Sequence, residues 1–177
     1  ILQALLRSIS PVLRFTAEEA WLLMKEDEDS VHLVEWFEDW NDFGELKISD
    51  DEWNKVLEIR SEVNKHIEET RNQEIIGSAL EADLELCCDK SLKQLLDKFE
   101  DELRFIFITS DAKVSLSEEG SSTNIEGLKV KVVKTQNQKC VRCWHSRPDV
   151  GQIKGHESIC GRCYENIKGK GEVRLFA

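Results

Sequence analysis

The chain has 177 residues, of which 40% are hydrophobic and 33% are charged, and this composition predicts a folded globular protein rather than a disordered chain. No apolar run approaches the roughly 18 residues that a membrane-spanning helix needs, so we expect no membrane segment. Residues 1–127 carry 13 Lys and Arg against 31 Asp and Glu, a balance of −18, whereas residues 128–177 carry 11 against 4, a balance of +7. The basic tail indicates either a polyanionic partner or a solvated charged surface.

The first 24 residues have apolar positions at helical spacing and predict two helices. Pro11 has no amide hydrogen and should end or kink the first helix. Thr16 and Glu19 have the spacing of a capping box, which predicts that the second helix begins there. The chain opens on Ile1 inside this apolar pattern and has no secretory signal, so we expect a piece of a longer polypeptide whose preceding part supplies packing partners.

Residues 25–48 are acidic and aromatic, and we interpret them as a long connection that wraps around the helices. Its aromatic residues are Trp36, Phe37, Trp40 and Phe43. A second capping box, at Ser49 and Glu52, predicts a helix that runs to about Arg71 and ends near Gly77. Its apolar face is expected to contain Trp53, Val56, Leu57, Val63 and Ile67.

Alternating apolar and polar residues predict β-strands at residues 82–88 and 128–134. Successive side chains of a strand point to opposite faces, so one of Cys87 and Cys88 should point inward and the other outward. Together with the segments between them, these strands predict that residues 75–135 form a small α+β unit with one helix on a mixed sheet.

The segments between those strands have two further patterns. Residues 92–103 have leucines and Phe99 at helical spacing, which predicts the helix of this unit. Residues 104–109 and 112–116 are interpreted as two strands joined by a tight turn at Ser110 and Asp111.

Four cysteines near the C-terminus have the spacing C-x2-C-x16-C-x2-C. This is the two-knuckle pattern of a tetrahedral zinc site, in which each C-x-x-C turn directs two thiolates at one ion. The four predicted ligands are Cys140, Cys143, Cys160 and Cys163. Four thiolates around Zn²⁺ leave a formal charge of −2, which neighbouring basic residues such as Arg142 and Arg162 can offset.

Other interpretations of these cysteines remain open at this point. A redox dithiol would use only one C-x-x-C pair, and an iron–sulfur cluster can use four cysteines. His145 or His156 could replace a thiolate, although four cysteines already complete the coordination shell. Because a complete shell leaves no position for water, the pattern favours a structural zinc ion over a catalytic one.

Basic and aromatic residues alternate in the same tail, and this pattern suits RNA, because cations meet phosphates and flat rings stack on unpaired bases. The candidate RNA contacts are Arg142, Trp144, His145, Arg147 and Arg162. Two of them also have structural interpretations. Trp144 could cover the metal site instead, and Arg162 could simply neutralise thiolate charge.

The sequence contains no Gly-rich phosphate loop, no G-x-S-x-G elbow and no H-E-x-x-H motif. His32 and His66 are isolated in the sequence, and His66 is interpreted as part of a solvated network on a helix surface. No catalytic residue is therefore predicted.

Several segments closely resemble the isoleucyl-tRNA synthetase family of bacteria. KCVRCWH at 139–145, ICGRC at 159–163 and GEVRLFA at 171–177 resemble its C-terminal zinc domain. PVLRFTAEEAW at 11–21 is similar to the anticodon-binding helical domain of class I synthetases, a motif that would also suit valyl- or leucyl-type relatives. The resemblance covers essentially the whole chain in order.

The resemblance implies a cytoplasmic enzyme that uses ATP and Mg²⁺ to attach isoleucine to its tRNA. The HIGH and KMSKS signatures of the catalytic domain do not occur in this sequence. The chain would therefore be inactive alone, with catalytic and editing domains in a missing N-terminal part of the same polypeptide. It would bind the anticodon arm of tRNA(Ile), and we expect it to be a monomer.

The resulting expectation is an α+β chain of three parts: anticodon-binding helices at 1–74, a small α+β junction domain at 75–135, and a four-cysteine zinc-ribbon-like domain at 136–177. A zinc-ribbon module for protein interaction on a helical stalk is the alternative function. A standalone zinc hydrolase conflicts with four thiolate ligands, because no coordination position is left for water.

Overall fold

A computed structural model describes residues 1–24, 30–38 and 47–176. The chain forms two compact units, Ile1–Lys47 and Ile48–Ala177. Much of the acidic connection, including Trp40 and Phe43, lies outside the described residues. The division into domains at 1–74, 75–135 and 136–177 stays a prediction. Within the described ranges, no helix is both long enough and apolar enough to cross a membrane.

The first unit contains two helices, α1 (Leu2–Ile9) and α2 (Arg14–Met24), and a short 3-10 helix at Val31–Leu33. Pro11 lies between α1 and α2, as predicted. Apolar side chains from all three helices pack together. The buried residues of this small core are Leu6, Ala17, Trp21 and Val31.

The predicted capping box at Thr16 is wrong, because α2 already begins at Arg14. The Ala17 amide donates to the Leu13 carbonyl oxygen at 2.9 Å, so the chain is helical before it reaches Thr16. The Glu18 carboxylate, one residue before Glu19, links α2 to the short 3-10 helix. It accepts hydrogen bonds from the Ser30 hydroxyl at 2.8 Å and the Val31 amide at 2.9 Å.

Helix α3 (Asp50–Asn72) opens the second unit, and its predicted capping box is confirmed. The Ser49 hydroxyl accepts from the Glu52 amide, and the Glu52 carboxylate accepts from the Ser49 amide. The helix buries Val56, Ile59, Val63 and Ile67. The prediction for Leu57 is wrong: its side chain is 42% exposed, because a residue directly after Val56 lies about 100° away from the buried stripe.

Replacing the capping residue with Ser49→Ala should lower the free energy of unfolding by about 1 kcal/mol, because an amide of the first turn loses its acceptor. Urea unfolding followed by circular dichroism measures this. Ser61→Ala is the matched control, since Ser61 is exposed within the same helix and alanine is the better helix former. Equal midpoints for the wild type and the Ser49→Ala variant would contradict the capping role.

The second unit is built on a four-stranded mixed sheet in the order β2-β1-β4-β3. Strand β1 (Ala82–Cys88) pairs in parallel with β2 (Asp111–Ser115) and antiparallel with β4 (Leu128–Lys134), which also pairs with the short β3 (Ser121–Ser122). The predicted α+β class and both alternating strands are confirmed. Helices α3, α4 (Lys90–Asp97) and α5 (Leu103–Phe107) contribute to one core. Its fully buried side chains include Val56, Ile59, Val63, Leu84, Leu86, Leu96, Phe99, Phe107 and Val130.

The predicted strand at 104–109 is wrong, because residues 104–107 belong to α5. Leu103, Ile106 and Phe107 are all buried, at the i, i+3 and i+4 spacing of a helix. The helix ends at Ile108, whose φ of 57° places it in the left-handed region, and β2 follows from Asp111.

Cys87 and Cys88 are consecutive in β1 and point to opposite faces of the sheet, as predicted, and Cys88 is the one in the central core. Both are nevertheless buried. Strand β1 lies between β2 and β4. The Cys87 sulfur accepts hydrogen bonds from the hydroxyls of Ser117 at 3.0 Å and Ser115 at 3.6 Å. The face of β1 that carries Cys87 is therefore covered at this end of the strand.

Candidate metal centre

The four cysteines of the C-x-x-C pairs come together in the structure. Their Sγ atoms all lie within 4.8 Å of one another. The Sγ atoms of Cys140 and Cys163 are 3.7 Å apart, as are those of Cys143 and Cys160. A regular tetrahedron with Zn–S bonds of about 2.3 Å has edges of about 3.8 Å. All four cysteines are free, so the cluster has the dimensions of a metal site rather than of two disulfides.

The first pair lies in a tight turn. The Trp144 amide donates to the Cys140 carbonyl oxygen at 2.9 Å, and the Cys140 amide donates to the His145 carbonyl oxygen at 2.9 Å. An isolated bridge between Lys139 and Ser146 closes the turn. These hydrogen bonds direct the Cys140 and Cys143 side chains to the same side.

The second pair is positioned by helix α6 (Gly161–Lys168), for which Cys160 is the N-terminal capping residue. The Gly161 amide donates to Oδ2 of Asp149 at 2.6 Å. A Cβ atom at position 161 would lie 2.8 Å from the same oxygen, so a side chain there would displace the Asp149 carboxylate from this hydrogen bond. Cys163 lies in the first turn of α6, where the helix dipole favours a thiolate.

The charges of the cluster explain why it needs a cation. Burial raises the pKa of the Cys143 and Cys160 thiols. Burial also acts on Cys140, but the backbone amides of Cys143, Cys160 and Arg142 outweigh it and hold the pKa of Cys140 below its ordinary value. Four sulfurs this close together, three of them on buried cysteines, cannot all stay negative unless a positive charge lies among them, so the donor set fits a thiophilic divalent ion.

Only a small apolar cluster surrounds the cysteines within the described residues. Its other members are Val150, Ile159 and Tyr164. A segment of this size buries too little apolar surface to fold without help, so metal ligation is expected to contribute much of its folding free energy.

Trp144 and Arg142 are the two candidate RNA contacts that lie on the surface beside the first cysteine pair. The Trp144 side chain is 60% exposed, so it is not packed over the cysteines. Its φ of 68° lies in the left-handed region, a conformation that the turn imposes. The ammonium group of Lys139 lies 5.1 Å from the ring centroid, a contact that the sequence did not reveal. Arg142 is exposed and its Nη1 lies 3.6 Å from the Cys163 sulfur.

The other three candidates contact protein groups. His145 is buried, and burial together with nearby arginines lowers the pKa of His145 to about 4. Arg147 donates to the Ser110 carbonyl oxygen at 3.0 Å. Arg162 Nε donates to Oε2 of Glu172 at 2.6 Å. The structure thus places these three side chains in contacts with the rest of the unit, while Trp144 and Arg142 stay exposed to solvent.

Comparisons with known proteins agree with this geometry. Residues 1–86 match the family described as "Anticodon-binding domain of tRNA ligase", and residues 137–166 match "Zinc finger found in FPG and IleRS". The whole chain is 45% identical to an isoleucine–tRNA ligase of Vibrio atlanticus, 44% to that of Shewanella amazonensis and 46% to that of Vibrio parahaemolyticus. Over its whole length, this chain is similar to a part of these isoleucine–tRNA ligases. It spans 19–20% of the length of these relatives.

These matches confirm the resemblance drawn from the sequence. The zinc-finger match contains all four clustered cysteines, and it supports zinc binding by the same segment whose sulfurs converge. The anticodon-binding match covers the first unit, α3 and most of β1. Phe105, whose ring lies against His145, was not identified from the sequence, because nothing in its local pattern pointed to the zinc segment.

Proposed function

We propose that this chain is the tRNA-recognition part of an isoleucine–tRNA ligase and that it binds the anticodon arm of tRNA(Ile). The proposal rests on the similarity of the whole of this chain to a part of isoleucine–tRNA ligases. The basic tail, with a balance of +7 over residues 128–177, supports it because phosphate contacts dominate affinity for RNA.

The wider activity belongs to the same proposal. The complete protein would attach isoleucine to tRNA with ATP and Mg²⁺, in catalytic and editing domains that this chain does not span. We expect the chain alone to be inactive, and the complete protein to be cytoplasmic and monomeric. A protein-interaction module is not favoured, because the relatives that match the whole chain are tRNA ligases.

The proposed metal site consists of one Zn²⁺ held by Cys140, Cys143, Cys160 and Cys163. When bound, the ion supplies positive charge to four thiolates and no reactive position. The residues of the chain then do the recognition. The turn at 140–144 holds the Trp144 ring on the surface, where it can stack on an unpaired base of the anticodon loop. Lys139 and Arg142 lie beside it and can contact phosphates.

The sharpest test of this role is Trp144→Gly. Loss of a stacked base should weaken tRNA(Ile) binding by about 1–3 kcal/mol, roughly five- to 150-fold in Kd. Glycine adopts the φ of 68° without strain, so the folded protein should not lose stability. Filter binding or fluorescence anisotropy with the zinc-loaded chain measures the affinity, and thermal unfolding measures the stability.

Trp144→Phe is the matched control, because it keeps a flat ring at the same position and should retain most of the affinity. A titration with a non-cognate tRNA establishes specificity. Equal affinities of the wild type and Trp144→Gly for tRNA(Ile) would remove Trp144 from the proposed interface. If the zinc-loaded chain bound tRNA(Ile) no better than a variant truncated before residue 136, the tail would have no part in binding.

A further inference from the structure

The segment after α6 returns from the zinc finger to the sheet-and-helix part of the same unit. We define the strap as residues 172–176, the zinc module as residues 137–168, and the α+β body as residues 48–134. The strap contacts both, and its contacts are of three kinds: ion pairs, backbone hydrogen bonds to a carboxylate, and aromatic packing.

Glu172 holds the first end of the strap to the zinc module. Its carboxylate accepts from Arg162 Nε at 2.6 Å and from Asn166 Nδ2 at 3.2 Å, and its amide donates to Asn166 Oδ1 at 2.8 Å. Burial raises the pKa of Glu172, but these hydrogen bonds and one from Arg174 outweigh it and lower the pKa to about 2. Glu172 is therefore firmly paired with α6.

Glu102 holds the other end of the strap to the α+β body. Its Oε1 accepts from the Leu175 amide at 2.6 Å and its Oε2 from the Phe176 amide at 2.7 Å. One carboxylate thus accepts from two consecutive backbone amides, and such charge-assisted hydrogen bonds are roughly twice as strong as neutral ones.

Aromatic packing fixes the same end. The Phe176 ring packs edge-on against Phe99 with centroids 5.0 Å apart, and Phe99 in turn lies 5.8 Å from Trp53 of α3. The Arg174 guanidinium lies 3.9 Å from the centroid of Phe105 in α5. The strap therefore reaches the central core of the α+β body.

The zinc module also contacts the body directly at two places. The Arg162 guanidinium of α6 lies 4.9 Å from the ring centroid of Phe105 in α5. The Ser146 amide donates to the Ser110 hydroxyl at 2.6 Å, Arg147 contacts Ser110 and Asp111, and His145 lies against Phe105. These direct contacts come from residues 145–147 and from α6. The strap adds a further attachment at Glu102 and Phe99, which restricts movement of the module relative to the body.

We propose that the strap fixes the orientation of the zinc module on the α+β body, and that Glu102 is the positioning residue that holds the strap. This inference concerns docking within the chain and goes beyond RNA recognition. Its consequence for RNA rests on the proposed function, because the orientation of the module decides where Trp144 lies relative to the body.

The test is Glu102→Gln in the zinc-loaded chain, measured by NMR residual dipolar couplings. Glutamine keeps one acceptor oxygen and places an NH₂ donor against the second amide, so one strap hydrogen bond is lost. In the wild type, amides of the module and the body should fit one alignment tensor. In the variant, the amides of the module and those of the body should require two different alignment tensors. Hydrogen exchange of the Leu175 and Phe176 amides should accelerate by on the order of tenfold or more.

Glu100→Gln is the matched control, because it makes the same charge change at an exposed residue of the same 3-10 helix (Glu100–Glu102). Phe176→Ala is a second variant, which removes the aromatic contact and keeps the Glu102 carboxylate. In this variant too, the module and the body should require different alignment tensors. The absorption spectrum of the Co²⁺-substituted chain should be unchanged in every variant, because the strap holds the module and does not bind metal.

A single shared tensor in both Glu102→Gln and Phe176→Ala would overturn the proposal. So would loss of the Co²⁺ spectrum, since the variants would then act on the metal site. Neither measurement involves tRNA, so a failure of the strap and a failure of RNA recognition are distinguishable.

Discussion

Removal of the metal by a strong chelator should unfold the zinc module and leave the α+β body folded. The four converging sulfurs are accompanied by only a small apolar cluster, so ligation replaces the core that this segment lacks. By analogy with zinc-finger peptides, the expected contribution of the ion is on the order of 10 kcal/mol. No other single change should have a larger effect on this chain.

Amide NMR spectra recorded before and after verified metal removal test this expectation. Signals of residues 137–168 should collapse into the range of unfolded chains, while those of β1 and β4 stay dispersed. Cys143→Ser should weaken Co²⁺ binding, whereas Cys87→Ser, at a cysteine outside the cluster, should leave Co²⁺ affinity unchanged. Unchanged module signals in metal-free protein would show that the segment folds without an ion.

The substitution Phe99→Ala should cost about 3–5 kcal/mol of unfolding free energy. Phe99 is fully buried and touches both Trp53 and Phe176, so its removal opens a cavity between α3 and the strap. The surrounding helices and sheet are held by their own contacts, which limits how far the site can collapse around the missing ring. Urea unfolding monitored by tryptophan fluorescence measures the loss.

Phe15→Ala provides the matched control, because it removes the same ring from an exposed position and should change the free energy by no more than about 0.5 kcal/mol. Phe99→Leu keeps part of the apolar side chain and should fall between the wild type and Phe99→Ala. If Phe99→Ala were as stable as Phe15→Ala, Phe99 would not be part of the core.

Features with a strict local spacing were predictable from the sequence. The two C-x-x-C pairs predicted the convergence of the four cysteine sulfurs, because ligand spacing follows from the geometry of a single ion. The capping box at Ser49 and the alternation in β1 and β4 were predictable for a similar reason, since each depends on residues within a few positions of one another.

Features that depend on the tertiary environment were not predictable in this way. The segment 104–109 consists largely of residues that suit either a strand or a buried helix. In the structure, the helical part packs against α3 and β2, and these tertiary contacts cannot be inferred from the local sequence. Thr16 and Glu19 have the spacing of a capping box, but the helix begins before them, as the hydrogen bond from the Ala17 amide to the Leu13 carbonyl oxygen shows. The contacts of the strap could not be predicted from the sequence, because Glu102 and Leu175 are 73 positions apart.

The position of β1 in the sheet has a consequence for synthesis of the chain. Both of its neighbours, β2 and β4, come later in the sequence, so a ribosome that has released β1 has not yet supplied either partner. During that interval the strand carries two open edges and the buried side chains of Leu84 and Leu86. The nascent chain is therefore most prone to aggregate after β1 emerges and before β4 can pair with it.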